Sequence, residues 1–237
     1  MAGEAKNLGR RARRQRWRAP LSGLTLVPAP LAGKQPRKYA MHSQSERFLA
    51  AIDRFDAANR EDPNHEVYQG QDYPRELLYA QRMSRCVERL APDASEAVRL
   101  AARSQHIRRW EIPRGQYALD RRGYHRWRTT LYGFHAAVAG RILHEVGYDD
   151  ATVRRVEDLL SKKGLKTDPE MQLLEDVICL VFLEYYVSGF ARQKDEAAMI
   201  TIVRKTWQKM SERGQQAALE LPLSPADRAL IEKALGQ

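Results

Sequence analysis

The sequence has only two cysteines, Cys86 and Cys179, in 237 residues, and they form neither a CxxC pair nor part of a metal-ligand cluster. A disulfide scaffold and a zinc finger are therefore excluded. Long apolar runs are also absent, since the longest, residues 177–183, stops at Glu184 and is far shorter than the roughly 18 residues of a membrane span. The composition is that of an ordinary globular chain, and we expect a cytoplasmic location and no membrane partner.

Alternating strands of convincing length, internal repeats and a glycine-rich phosphate loop are missing as well. Dinucleotide-binding, P-loop and α/β-hydrolase frameworks are excluded, because each needs a strand that leads into its motif. Helical patterns fill the chain from residue 44 onward. The fold class predicted from these patterns is all-α, with a single helical domain of about seven or eight helices over residues 44–237.

Acidic residues are almost absent from the first forty positions. This segment holds ten of the 40 Lys and Arg residues and one of the 30 acidic residues, Glu4, so it carries +9 of the net charge of +10. The remaining 197 residues carry +1. The basic character therefore belongs to a leader, and the body gives no overall charge argument for a nucleic-acid partner.

The leader, residues 1–43, is rich in Arg, Pro and Gly without a sustained period, and we predict that it is disordered. It fits a targeting peptide in charge but poorly in serine content and amphipathicity, and charge alone allows a nucleic-acid-binding arm. The interpretation we favour is an upstream extension in front of a true start at Met41. That residue directly precedes the first helical pattern, which Ser45 can cap.

The helix predicted over residues 170–191 is apolar around almost its whole circumference, yet it carries Glu175, Asp176 and Glu184. A carboxylate in a core is costly unless it is paired, hydrogen-bonded or bound to metal. Two interpretations stay open at this point. The carboxylates either pair with a neighbouring helix, or one of them serves as a metal ligand or general base.

Residues 105–114 concentrate hydrogen-bond donors at a predicted helix end. His106 can act as a ligand or as an acid–base group, while Arg108 and Arg109 can hold a phosphate or carboxylate. Trp110 offers a face for stacking. Two further cations, Arg122 and Lys163, lie in other basic clusters and complete the predicted anion-binding set.

The stretch HAAVAGRILHEVGYDDATVRRVEDLL, followed by LEDVICLVFLE, resembles the second half of an HD-domain metal-dependent phosphohydrolase. His135 matches a histidine of that pattern, and Asp176 matches its terminal aspartate. The resemblance implies an HD-like helical fold, hydrolase activity and a divalent metal such as Mn, Fe, Zn or Mg. His106, His135 and Asp176 would be the metal ligands.

The adjacent His-Asp doublet of that family is absent, and Gln105-His106 stands at the expected position. Glu76 stands where the earlier histidine of the family would fall. A mononuclear site of Glu76, His106 and Asp176 is chemically reasonable, since oxygen and nitrogen ligands suit these metals. The blocks QHIRRWEIPR, LEDVICLVFLEYY and KTWQKMS also resemble a bacterial and fungal family known only as a domain of unknown function.

The leading functional hypothesis is a divergent HD-like hydrolase for a small phosphorylated or anionic metabolite, a nucleotide being one candidate. His106, Asp176 and Glu76 would be the catalytic residues. The alternative is a non-catalytic anion- or nucleotide-binding module on the same scaffold. RNA or DNA binding ranks last, because it rests on the leader and on scattered arginines.

Overall fold

A computed structural model describes residues 45–164 and 167–236. Its described part is mainly helical, as the sequence predicts, although ten α-helices replace the expected seven or eight. The predicted leader, residues 1–43, lies outside the described residues. The helices are α1 (Glu46–Arg60), α2 (Arg75–Leu90), α3 (Glu96–Ser104), α4 (Arg121–Val146), α5 (Asp150–Leu160), α6 (Pro169–Val181), α7 (Val187–Ala191), α8 (Glu196–Trp207), α9 (Glu212–Leu219) and α10 (Pro225–Leu235).

Capping residues set many of the helix ends. The hydroxyl of Ser45 accepts a hydrogen bond from the Phe48 amide at 3.1 Å, and Ser95 and Asp120 cap α3 and α4 in the same way. Gly147 ends α4 with φ of 90°, a left-handed conformation that glycine adopts without steric cost. These local signals place the helices along the chain, and burial of their apolar faces holds them together.

Helix α6 lies at the centre of the core. Leu174, Val177 and Val181 are fully buried, and α6 packs against α2, α3 and α9. A π-helical segment, Phe182–Tyr186, follows α6 and leads into α7. The helix predicted as continuous over residues 170–191 is therefore interrupted by a wider turn.

A small β-hairpin precedes α2, although the sequence shows no alternating strand of convincing length. Strands β1 (His65–Tyr68) and β2 (Gln71–Pro74) are antiparallel, and Gln69 and Gly70 form the turn with φ of 51° and 77°. Both turn residues are left-handed, as a tight hairpin turn requires.

The buried guanidinium of Arg82 holds the hairpin against the helices. Its Nη1 lies 2.7 Å from Glu66 Oε1 and donates to the hydroxyl of Tyr186 at 2.8 Å. The same group lies over the rings of Tyr68 and Tyr185 at 4.7 and 4.5 Å. Because a buried cation needs partners, this arrangement ties β1 to α2 and to the π-helical segment.

Across the described residues, no helix is long and apolar enough to cross a membrane.

Candidate functional site

Three sequence-predicted residues from separate elements lie together. Glu76 is in the first turn of α2, His106 follows α3, and His135 is in the middle of α4. The Nδ1 atom of His106 is 3.1 Å from Glu76 Oε2, and the rings of His106 and His135 are 5.8 Å apart between centroids. All three side chains are largely buried. We call Glu76, His106, His135 and the adjacent Arg109 the polar cluster.

Two buried residues near the end of α1 place the carboxyl and the imidazole. Asp62 Oδ2 accepts a hydrogen bond from the Glu76 amide at 2.9 Å, which fixes the start of α2. The side-chain oxygen of Asn59 accepts from the Arg108 amide at 3.1 Å. Helix α3 ends at Ser104, and Arg108 is left-handed with φ of 51°, so the chain changes direction two residues after His106.

Tyr79 supplies an aromatic wall that the sequence interpretation did not include. Its ring stacks on His106 with centroids 4.0 Å apart and planes 11° apart, and Tyr186 lies 5.9 Å away on another side. Tyr79 follows Glu76 by three positions in α2, which places both on one helix face. That spacing was the signal that could have identified it.

Two arginines lie in and beside the polar cluster. Arg109 Nε is 3.9 Å from Glu76 Oε1, and its guanidinium lies 4.7 Å from the ring centre of Trp127. Arg128, which the sequence interpretation left out of the anion-binding set, is held by the hydroxyl of Tyr132 at 2.7 Å. Arg109 and Arg128 both lower the pKa of His106 and of His135, so both act at short electrostatic range.

Burial shifts the protonation of the cluster. It raises the pKa of Glu76 to about 8, holds the pKa of His106 well below its ordinary value, and lowers the pKa of His135 to about 3. Near neutral pH Glu76 is therefore mostly protonated and both imidazoles are neutral. Arg109 keeps its charge although burial lowers its pKa, so the cluster carries a positive field without a full compensating carboxylate.

The cluster also contains unused hydrogen-bonding capacity. His135 Nε2 is buried without a hydrogen-bond partner among the described residues, as is the side-chain oxygen of Gln105, the neighbour of His106. Buried polar atoms are normally paired with protein or with ordered water. A small polar ligand or water at this point would satisfy His135.

Asp176 is used elsewhere, which corrects its placement among the catalytic residues and metal ligands. Its carboxylate accepts from the amide and hydroxyl of Ser211 at 2.8 and 2.5 Å, and from the side chain of Gln172 at 2.9 Å. Ser211 is the N-cap of α9. Asp176 therefore anchors α9 on α6, and three donors already occupy its oxygens.

Most of the predicted anion-binding residues, like Asp176, lie outside the polar cluster. Arg108 pairs with Glu61 at 3.4 Å and with Glu111, and Lys163 is exposed and pairs with Asp158 at 2.6 Å. Of that set, the structure places only Arg109 in the polar cluster.

The neighbouring Lys162 replaces Lys163 as the lysine close to the cluster. It has φ of 57°, lowers the pKa of His106, and bonds to the buried Glu175. Trp110 is half-buried in a short 3₁₀ turn, Arg109–Glu111, and Arg122 lies on an exposed part of α4.

The residues do not fit the metal site that the HD-domain resemblance implies. Among residues 45–164 and 167–236, no group of three or more His, Cys, Asp and Glu side chains is arranged to hold a metal ion. Asp176 is engaged by Ser211, and His106 Nδ1 faces Glu76. The polar cluster combines an acid–base pair with cations, and its side chains are not grouped as the ligands of a metal ion.

Comparisons with known proteins place the chain in a family. A search of the curated proteins and a search of the solved structures found no match. Nothing in these comparisons indicates membership of the HD-domain superfamily. One family model, described as "Domain of unknown function (DUF4202)", matches residues 49–231, a span that contains the whole polar cluster. The chain therefore belongs to the DUF4202 family.

Proposed function

We propose that the polar cluster is the active site of a hydrolase for a small phosphorylated or otherwise anionic metabolite, of which a nucleotide is one class. The observation that carries the proposal is the contact between Glu76 and His106 beside Arg109. A buried carboxyl that is protonated near neutral pH, next to a neutral imidazole, supplies an acid and a base together. The cytoplasmic location expected from the sequence belongs to this proposal.

Two arginines would bind the anionic group of the substrate. Arg109 and Arg128 would bind the anionic group, because a guanidinium offers a planar pair of donors to phosphate oxygens. His135 Nε2, which lacks a hydrogen-bond partner in the described residues, would take a further hydrogen bond from the ligand or its water. Tyr79 would keep the His106 ring in a fixed plane by stacking on it.

The hydrolytic step uses protein groups alone. The oxygen of a water molecule forms a bond to phosphorus, and the bond between phosphorus and the leaving oxygen breaks. His106 Nε2 takes the proton that the water loses, and Glu76 gives its proton to the leaving oxygen. The Nδ1–H of His106 keeps its 3.1 Å contact with Glu76 throughout, and the imidazolium loses its Nε2 proton through water to the Glu76 carboxylate, which restores the starting tautomer and the neutral pair.

Phosphate release from a panel of phosphomonoesters, phosphodiesters and nucleotides tests the proposal. We expect Glu76→Gln and His106→Asn to lower kcat/KM by about 100-fold or more, since acid–base groups contribute on the order of 10²–10⁴. The matched controls are Glu88→Gln on α2 and His144→Asn on α4, both exposed. They should stay within about two-fold of the wild type.

Two different outcomes would contradict the proposed acid–base hydrolase. Wild-type activity in both Glu76→Gln and His106→Asn would remove the acid–base pair from the reaction. An activity that required added Mn²⁺ and vanished in a folded Asp176→Asn variant would favour a metal-dependent, HD-like enzyme instead.

The second candidate is a binding module without turnover. It is favoured by the surplus of cations around His135 Nε2, which is buried and has no hydrogen-bond partner in the described part of the chain. It predicts that a phosphorylated ligand raises the melting temperature without being consumed. Arg109→Gln should abolish that rise, while Arg85→Gln, an exposed change on α2, should preserve it.

A further inference from the structure

The first half of α4 projects an exposed basic surface. Arg121, Arg122, His125 and Arg126 are all exposed, and Gly123 is the one buried residue between positions 121 and 130. Arg122 and Arg126 are four positions apart, as are Arg121 and His125, so they form two adjacent rows on the helix. We call these four residues the α4 basic face.

The charge of this face is not neutralised locally. Arg121, Arg122 and Arg126 have no hydrogen-bond or ion-pair partner for their guanidinium groups within the described ranges 45–164 and 167–236. Residues 104–135 hold seven arginines and two acidic residues, or +5, whereas the body as a whole carries +1. Helix stability does not explain Arg121 and Arg122, because cations in a first turn meet the positive end of the helix dipole.

A hollow and an aromatic side chain adjoin the face. The hollow has a volume of about 250 Å³ and is lined by Arg122 and Arg126 together with Tyr117 and Asp120. This is below the usual size of a metabolite pocket and suits a single phosphate group. Tyr124 is 43% exposed, and its ring lies 5.9 Å from that of His125, at the edge of the face away from Arg122 and Arg126.

We propose that the α4 basic face binds single-stranded nucleic acid. Three arginines, none with an ion-pair partner among the described residues, fit the repeating phosphates of a strand, and guanidinium groups bind phosphate with paired donors. The exposed ring of Tyr124, beside His125 at the edge of the face, offers a stacking platform for a base, which an acidic peptide would not use. The inference is independent of the proposed hydrolase, because it concerns other residues and needs no turnover.

The nucleic-acid hypothesis from the sequence rested on the leader, residues 1–43, and on scattered arginines, whereas this face is one surface of the body. The two locations make different predictions, because the leader is the same in every variant of α4. A change confined to α4 therefore isolates its contribution in the full-length protein.

Binding of a fluorescein-labelled 20-nucleotide oligo(U) to the full chain tests the inference at salt concentrations from 50 to 200 mM. We expect Arg122→Gln/Arg126→Gln to weaken binding several-fold or more, and to reduce the slope of log affinity against log salt by about 1.4, or ~0.7 per lost phosphate contact. Tyr124→Ala should weaken binding roughly five-fold or more with a smaller change in that slope. The matched control is Lys194→Gln/Lys205→Gln, which removes two exposed charges from the C-terminal part of the chain.

Three results would overturn the inference. One is wild-type affinity and salt slope in Arg122→Gln/Arg126→Gln. Another is an equal loss of affinity in Lys194→Gln/Lys205→Gln, which would show that only the net charge of the protein matters. The third is equally tight binding of a poly-glutamate peptide of matched charge, which would assign the face to an acidic protein. Circular dichroism and melting temperature should match the wild type in every variant, since all the changed side chains are exposed.

Discussion

The imidazole of His106 and the carboxyl of Glu76 meet at 3.1 Å, although thirty positions separate them in the chain. Tyr79 lies flat against the imidazole on one side, at 4.0 Å. The His106 ring is therefore fixed by a carboxyl at its edge and by an aromatic ring on its face. An acid–base group needs a ring held in a fixed position. The same close contacts make the pKa of the group depend on its surroundings.

The first prediction concerns the pH dependence of stability. Between about pH 6.5 and 8 the folded protein keeps a proton on Glu76 that the unfolded chain, with an ordinary carboxyl pKa near 4.5, has lost. The folded state then binds more protons, so the free energy of unfolding should fall as pH rises, by at most about 1.4 kcal/mol per pH unit. Below this window the lowered histidine pKa values act in the opposite direction.

Urea unfolding at pH 6.5, 7.2 and 8.0 measures this slope. Glu76→Gln should flatten it, and the exposed Glu88→Gln should leave it unchanged. A slope in Glu76→Gln equal to that of the wild type would show that another group is responsible.

The second prediction separates stability from binding at His135. Replacement of His135 by Phe removes a buried nitrogen without a hydrogen-bond partner in the described residues and keeps a ring of similar size. The free energy of unfolding should stay the same or rise by up to about 1 kcal/mol. The stabilisation produced by inorganic phosphate should be lost, as a titrated melting curve would show. His144→Phe, at an exposed position of the same helix, is the control. A loss of more than about 2 kcal/mol would mean that His135 makes a stabilising contact.

The third prediction assigns Asp176 to the architecture. Asp176→Ala leaves the amide and hydroxyl of Ser211 and the side chain of Gln172 without their acceptor. We expect a loss of about 2–3 kcal/mol in the free energy of unfolding. Activity or ligand affinity per folded molecule should not change. Asp150→Ala, an exposed change, should cost under about 1 kcal/mol. A folded Asp176→Ala protein without activity would return Asp176 to the site.

The fourth prediction concerns Arg82. Arg82→Met removes the buried cation that contacts Glu66 and Tyr186, and should lower the free energy of unfolding by about 2–4 kcal/mol. Hydrogen exchange at the amides of β1 and β2 should accelerate more than exchange in α6, because the hairpin loses its attachment. Arg85→Met, on the exposed side of the same helix, should leave both measurements close to the wild type. Equal protection of the hairpin amides in Arg82→Met would contradict this role.

Helix positions could be predicted from local signals. Ser45 and Gly147 mark ends that the structure confirms, because capping depends on a few neighbouring residues. The hairpin could not be predicted in the same way. Its strands have four residues each, its Gln69-Gly70 turn is not one of the strongest sequence signals, and it is held by Arg82 from another element.

The candidate site was partly predictable. Residue chemistry and position singled out Glu76, His106, His135 and Arg109, which lie together. Asp176 could not be assigned from sequence, because its partner Ser211 caps a helix thirty-five positions away. Lys162, and not Lys163, lies close to the cluster because its own backbone is left-handed. Amino-acid composition does not predict such a conformation.

The π-helical segment after α6 fixes the length of this part of the chain. A π turn accommodates one more residue than an α turn, and each residue of an α-helix advances by about 100°. If the segment relaxed to an α-helix with every residue kept, Tyr185 and Tyr186 would rotate away from Arg82, and the hairpin and the ring of Tyr79 would lose contacts together. Deleting one residue between positions 182 and 184 would instead leave an α turn with its two ends in phase, whereas an insertion would rotate the tyrosine pair. Relatives that keep this pair and the π turn should therefore tolerate substitutions here far better than insertions.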